Sequence, residues 1–273
     1  MKQQLEENLK KKKYHQFVGD IVDIEILDEQ NRKGVINKIE KREVYVKRPK
    51  LANITQIVFV VSSKDPKPDL LMLDKQLIFA EFLGIKSLIV LNKTDLDQKG
   101  EFQEIKRVYE NIGYEVILTE AKNQKGIIEL KEKLKGNISA FSGNSGVGKS
   151  SLINSIFDKT RTEEGEISKR NKRGKNTTTA IKLYEILEDT YIADTPGFST
   201  FSVEEIESYE LGQYVKEFKN YIQNCEFIGC RHIKEENCGI KQAIKDEKID
   251  KKRYERFCKV YGELKSKEER KKW

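Results

Sequence analysis

Long apolar runs are missing from this 273-residue chain. Uninterrupted hydrophobic stretches reach only segments such as Ile57–Val61 and Leu88–Leu91, against the roughly 18 to 20 residues a membrane span needs. No transmembrane helix, and no membrane partner, is therefore expected. The opening residues MKQQLEENLKKKKYHQ are polar and hold no apolar core of the kind a secretory signal requires, so the expected compartment is the cytoplasm. Cysteine is scarce, with four residues in the chain, and in a reducing compartment a disulfide framework is disfavoured. Internal repeats are absent.

Charge, by contrast, is abundant. Charged residues make up 36% and hydrophobic ones 37%, and the periodic apolar runs among them argue against wholesale disorder. The net charge of +7 leans toward a polyanionic partner, although scattered lysine matched by glutamate is ordinary solvated surface. Position says more than the total: residues 159–175 hold seven basic against three acidic groups, and residues 241–273 hold thirteen against seven. The length accommodates one large domain or two to three small ones.

The texture changes twice along the chain. After the polar arm, residues 17–49 alternate with turn signals as short strands and suggest a small antiparallel β unit, at best part of a barrel. From Ile54, branched apolar runs (ITQIVFVVSS, IKSLIVLN, YEVILT, NISAFSG) alternate with helical segments 69–83, 101–112, 126–135 and 149–157. That alternation implies an α/β fold with a doubly wound parallel sheet. A basic loop, 159–176, and two more strands (AIKLYEIL, TYIADT) complete it, and residues 202–273 read as helical around a Cys/His cluster. The expected division is 1–50, an N-terminal arm with a partial β domain; 51–201, the α/β domain; and 202–273, the helical domain.

Residues Gly143, Asn144, Ser145, Gly146, Val147, Gly148, Lys149 and Ser150 fit the G-x-x-x-x-G-K-[ST] phosphate loop between an expected strand and an expected helix, the context the motif demands. Glycines allow backbone amides to approach phosphate oxygens, and the helix N-terminus adds its positive dipole end. Lys149 reaches the β and γ oxygens, Ser150 ligates Mg²⁺, and Ser151 extends the loop. Asn92, Lys93, Thr94 and Asp95 follow a strand at its carboxyl end, where ligands bind in such sheets. The Asp95 carboxylate only accepts hydrogen bonds. It therefore suits guanine, which offers donors at N1 and the exocyclic amine, and not adenine. The Lys93 stem would pack on the purine and Asn92 would tie this loop to the phosphate loop. Thr119–Lys122 ends the next strand and reads equally as a plain loop or as a source of a backbone amide, from Ala121 or Lys122, for the guanine oxygen.

Asp194-Thr195-Pro196-Gly197 closes another strand. Beside a phosphate loop, Asp194 reads as a Mg²⁺ holder and the Gly197 amide as a γ-phosphate contact. One of Thr177, Thr178 and Thr179, with Thr178 preferred, closes on Mg²⁺; ordinary β-propensity also explains the three threonines. Phe198 stands where Ras-type enzymes carry a water-orienting Gln, so slow intrinsic hydrolysis is expected, quickened when a partner positions the missing group; packing of Phe198 in the core is the plainer reading. The order matters most: N-K-T-D at 92 precedes the phosphate loop at 143 and D-T-P-G at 194, whereas ordinary GTPases run phosphate loop, switch threonine, D-x-x-G and then N-K-x-D, so the sheet is circularly permuted. Finally, Cys225, Cys230, His232 and Cys238 fall within fourteen positions, a spacing that suits one closed, tetrahedral, structural Zn²⁺ site. Cys258 reads as a small buried residue.

Taken in this order, N-K-x-D, G-x-S-G-V-G-K-S-S, T-T-T, D-T-P-G-F and C-x4-C-x-H-x5-C resemble the circularly permuted, small-ribosomal-subunit-dependent GTPases of the RsgA or YjeQ type. Val18-Gly-Asp20, Arg48-Pro49 and Ala52-Asn53 add to the likeness, which runs from residue 17 to about 262. The resemblance implies an N-terminal OB-fold, a permuted GTPase domain and a zinc-bearing helical domain, GTP hydrolysis with Mg²⁺, and a monomer that binds the small subunit through 16S rRNA during late maturation. Two departures stand out: the N-terminal part is short for a five-stranded OB barrel, and Asn176 replaces the histidine usual before the threonines. A binding module that holds GTP to order its rRNA contacts, with little turnover, is the alternative from another class, and an ATP-using enzyme is the third.

Overall fold

The computed structural model describes residues 16–31, 33–47, 49–164, 181–194 and 203–271. Strands β1 (Val22–Asp28) and β2 (Lys33–Ile39) pair as an antiparallel hairpin. The Asp28 carboxylate accepts from the Asn31 amide and side chain at 3.0 and 2.7 Å to shape the turn. Short strands β3 (Tyr45–Val46) and β4 (Leu51–Ala52) pair with each other, and Val18 bridges to Leu51. The expected boundary at residue 50 thus falls inside the β3–β4 unit. Asp20 and Arg42 close it with two hydrogen bonds of 2.6 and 2.9 Å, and the guanidinium, also stacked on Phe17, holds the Asp20 carboxyl below the usual range.

The central sheet comes from the branched apolar runs. Strands β5 (Gln56–Ser62), β6 (Lys86–Asn92), β7 (Glu115–Thr119), β8 (Ile138–Ser142), β9 (Lys182–Leu187) and β10 (Thr190–Asp194) lie in the order β7-β6-β5-β8-β10-β9. All are parallel except β9, which runs antiparallel to β10. The sheet is therefore mixed at one edge, because only two residues, Glu188 and Asp189, join β9 to β10 and a parallel crossover needs a dozen or more. Every residue of β5 is buried, as a strand covered on both faces must be.

Helices α1 (Leu70–Leu83), α2 (Glu101–Asn111), α3 (Ile127–Leu134) and α4 (Lys149–Glu164) cover the sheet. Asp69 caps α1, its carboxylate accepting from the Met72 amide, and Asp97 accepts from the Glu101 and Phe102 amides to start α2. Helix α4 runs to Glu164, so the first six residues of the expected basic loop belong to helix. Residues 203–224 form short 3₁₀ turns where longer helices were expected, followed by α5 (Gly239–Lys245) and α6 (Lys251–Arg270).

Helix α1 is apolar nearly all round, the pattern of a helix buried on both sides. The sheet takes one side; the other faces the C-terminal region. There Asp74 of α1 pairs with Arg253 and Arg256 of α6 and accepts a 2.6 Å bond from Tyr109 of α2. Arg253 also donates to Glu217 at 2.6 and 3.1 Å. Asp74, Tyr109 and Arg253 are buried, and a buried charge of this kind persists only when fully partnered. Arg253, Phe257, Val260 and Leu264 form the buried stripe of α6. No helix among the described residues is long and apolar enough to cross a membrane.

Candidate functional site

Three loops meet at the carboxyl edge of the sheet, and one side chain joins them. The first leaves β8 and enters α4 as Gly143–Gly148. Gly143 has φ 142° and Gly148 φ 99°; a Cβ at Gly143 would lie 2.3 Å from the Val60 carbonyl, and one at Gly148 2.3 Å from Asn92 Nδ2. Glycine is demanded by both torsion and space. Lys149 Nζ donates to the Gly143 and Asn144 carbonyls at 2.6 and 2.9 Å, so its ammonium is held over the loop. Burial pushes it below the ordinary lysine range, a cost that an anion in the loop would offset. Ser145, Gly146, Ser150 and Ser151 are exposed around this turn.

The second loop follows β6. Asn92 is 1% exposed. It donates from Nδ2 to the Val147 carbonyl at 2.9 Å and accepts at Oδ1 from Thr119 Oγ1 at 3.0 Å and from the Ala121 amide at 3.4 Å. Its amide therefore ties the loop entering α4 to its own loop after β6 and to the one after β7. Lys93, in the left-handed region at φ 63°, reaches back to the Asp65 and Lys64 carbonyls. Thr94–Leu96 then turns in 3₁₀ form with Asp95 exposed on it.

The third loop, after β7, is more built than a plain connection. Glu120 accepts from Asn123, Lys125 and Thr94, whose hydrogen bonds hold its carboxyl below the usual range. Ala121–Asn123 is a 3₁₀ turn with Lys122 exposed. Helix α4 grips it from behind: Ser155 Oγ donates to the Ala121 carbonyl at 3.2 Å and receives a 2.9 Å bond from Gln124. Gln124, Ser155, Ser63 and Asp65 were not singled out from the sequence. Ser63 and Asp65 carried a usable signal, since they follow the buried strand β5 at the same edge; Ser63 Oγ donates to the Lys93 carbonyl.

Asp194 closes β10, and Ala193 stands in register with Ala140 of β8. The chain position of Asp194 is thus at the edge from which the phosphate loop departs. Asn176, Thr177, Thr178, Thr179, Thr195, Gly197 and Phe198 lie outside the described residues. The oxygen donors Ser150 and Asp194 are of the hard type that Mg²⁺ prefers.

In the C-terminal region, Cys225, Cys230, His232 and Cys238 bring one ligand atom each to within 4.8 Å of one another. The Cys225 and Cys238 sulfurs are 3.9 Å apart and lie 3.6 and 3.3 Å from His232 Nδ1. His232 is buried at φ 62°. Tyr254 donates to its carbonyl at 2.7 Å, Phe218 meets its ring edge-on, and Gly212 leaves room for the ring, where a Cβ would sit 2.9 Å from Cδ2. Glu235 accepts from the Arg231, Ile233 and Lys234 amides at 2.9, 3.0 and 3.0 Å. Burial raises its carboxyl, but the backbone donors prevail and bring it down to about 2. Burial also pushes the Cys230 thiol up to about 12 and His232 down, the latter in the direction of the neutral imidazole that a ligand must be. These four residues can hold a metal ion. Cys258 is half-buried and outside the group.

Comparison with known proteins follows the same features. A family model described as RsgA GTPase matches residues 30–204. The chain is 38% identical to the small ribosomal subunit biogenesis GTPase RsgA of Alkaliphilus metalliredigens over 94% of this chain and 88% of that one. It is 42% identical to the protein of that name from Clostridium novyi over 93% and 86%. Among solved structures it is similar to YjeQ from Thermotoga maritima, with a TM-score of 0.80 at 34% identity over 94% of this chain and 87% of that one. It is also similar to YloQ, described as a circularly permuted GTPase, with a TM-score of 0.78 at 30% identity over 95% and 84%.

Proposed function

Since the chain belongs to the RsgA GTPase family, we propose that it hydrolyses GTP to GDP and phosphate in small-ribosomal-subunit biogenesis, with turnover stimulated by the subunit. The observation that supports this reading is the Asn92 knot, which holds the loop after β6 against the loop entering α4 and the one after β7, the arrangement a guanine-selective loop beside a phosphate loop would need. Asp95 would accept from the guanine N1-H and amine, and Ala121 and Lys122 would face its oxygen. Gly143–Ser151 would cradle the phosphates, Lys149 exchanging loop carbonyls for phosphate oxygens. Ser150, Asp194 and Thr178 would hold Mg²⁺, whose charge offsets that of the β and γ phosphates, and Gly197 would meet the γ-phosphate. Phe198 cannot orient water by hydrogen bonding, so the subunit would supply or position that group.

Zinc is the ion proposed for Cys225, Cys230, His232 and Cys238. For Zn–S bonds near 2.3 Å the edge of a tetrahedron is about 3.8 Å, and the sulfur separation of 3.9 Å supports it. With four protein ligands its role is structural. The domain reading 1–50, 51–201 and 202–273 is kept with the β3–β4 pair straddling the first boundary. Contact with 16S rRNA through exposed lysines of α5 and α6, a monomeric state and a cytoplasmic location complete the reading; binding should then weaken steeply with salt.

The test is GTP turnover by the purified chain with and without isolated small subunits, with ATP as control. Stimulation confined to GTP is expected. Subunit binding in the GTP state without added turnover would favour the GTP-gated binding module, and a preference for ATP would overturn the assignment of Asp95.

A further inference from the structure

Between two metal ligands the chain turns outward and exposes its least soluble residues. In Cys225-Glu226-Phe227-Ile228-Gly229-Cys230, Ile228 is 108% exposed and Phe227 56%. The turn is fixed at both ends. The Cys230 amide donates to the Phe227 carbonyl at 3.2 Å, Gly229 takes φ 78°, and the Glu226 amide donates to Asn237 at 3.1 Å, while Asn237 Nδ2 returns a 2.6 Å bond to the Glu226 carboxylate. An apolar tip on so rigid a base costs little ordering entropy when it binds, which is the property of an interface anchor.

Charge distinguishes the partners available. The chain carries +7 overall, yet between Cys225 and Cys238 two basic residues, Arg231 and Lys234, face three acidic ones, Glu226, Glu235 and Glu236. Glu226, beside the tip, and Glu236 are exposed, as are Arg231 and Lys234, so the segment presents mixed charge with one net negative unit. A surface with no net positive charge has little to offer phosphates, whereas a basic protein with an apolar pocket complements both its tip and its sign. We propose that, on the reading of this chain as a small-subunit GTPase, Phe227 and Ile228 insert into an apolar pocket of a basic protein of the small subunit, while the lysines of α5 and α6 make the phosphate contacts.

The test uses the full chain with the photocrosslinker benzoylphenylalanine in place of Ile228 and, in a second preparation, in place of the exposed Lys252 of α6, each irradiated with purified small subunits. Position 228 should crosslink to a subunit protein, identified by mass spectrometry, and position 252 to rRNA. Ile228→Asp combined with Phe227→Ala should lower subunit affinity about tenfold or more, with metal content and basal GTP turnover unchanged. Crosslinking of position 228 to rRNA, or full affinity in the double variant, overturns the assignment. If position 252 crosslinks and position 228 does not, the tip is no anchor although the subunit reading survives. Failure of the unaltered chain to sediment with subunits overturns that reading and this one together.

Discussion

The nucleotide site and the Cys/His cluster are held in opposite ways. Around Asn92, loops hang from the ends of strands whose residues are almost wholly buried, and the site inherits its geometry from the core. Around His232, short turns without a sheet converge on four ligand atoms, and local hydrogen bonds, accepted by Glu235 and donated by Tyr254, do the positioning. A site borrowed from a core tolerates loss of its ligand. One built from turns depends on the ion that fills it, because no ladder of paired strands holds its four ligands together.

The largest effect should come from breaking the second arrangement. Structural zinc contributes roughly 10–16 kcal/mol in small domains, so Cys230→Ser should abolish stoichiometric metal by elemental analysis and expose residues 203–250 to hydrogen exchange, while GTP binding persists. Loss of GTP binding at the same time would show that the two regions are one cooperative unit. Asp74→Ala probes the join between them: removing one partner of a buried ion-pair network costs about 3–5 kcal/mol, read as a lower urea midpoint.

Within the nucleotide site, Asp95→Asn replaces an acceptor-only carboxylate by an amide and should weaken GTP about 10- to 100-fold, the effect of about 1.5–3 kcal/mol for charge-assisted bonds. Measured by calorimetry, unchanged affinity would remove Asp95 from the base site. The smallest effect belongs to Glu235→Gln, about 1 kcal/mol. The Glu235 pKa falls from an ordinary 4.5 to about 2 in the fold, so the wild-type advantage over Gln should be full above pH 4.5 and fade as pH falls toward 2. An advantage that grows on acidification, in thermal midpoints compared at each pH, would contradict the backbone hydrogen bonds.

Much of this was legible along the chain. Strand runs such as QIVFVVS and helix caps such as Asp69 are local patterns, and β-strand burial follows from them directly. The apolar circumference of α1 also shows in the sequence, though not what covers it. Other features had no local signature. Helix α4 outlasts its apolar residues, running to Glu164 where charge suggested a loop, and residues 203–224 settle into 3₁₀ turns that share no clear helical period. Gln124 and Ser155 look like unremarkable polar residues until α4 is laid behind the base-side turn.

By itself the sequence determined the chemistry: the order of the nucleotide loops, the acceptor at Asp95, and the three thiols and one imidazole that share fourteen positions. These are matters of side-chain type at short spacing, which covalent connectivity already places close together. Only the tertiary structure decided that Asn92 spends its amide on two loops at once, that Lys93 reaches back toward β5, and that Asp74 meets Arg253 from 179 residues away. Such contacts depend on how packed elements cross, and a buried polar group takes whichever partner the packing brings, since leaving it unpaired costs more than any local preference can recover.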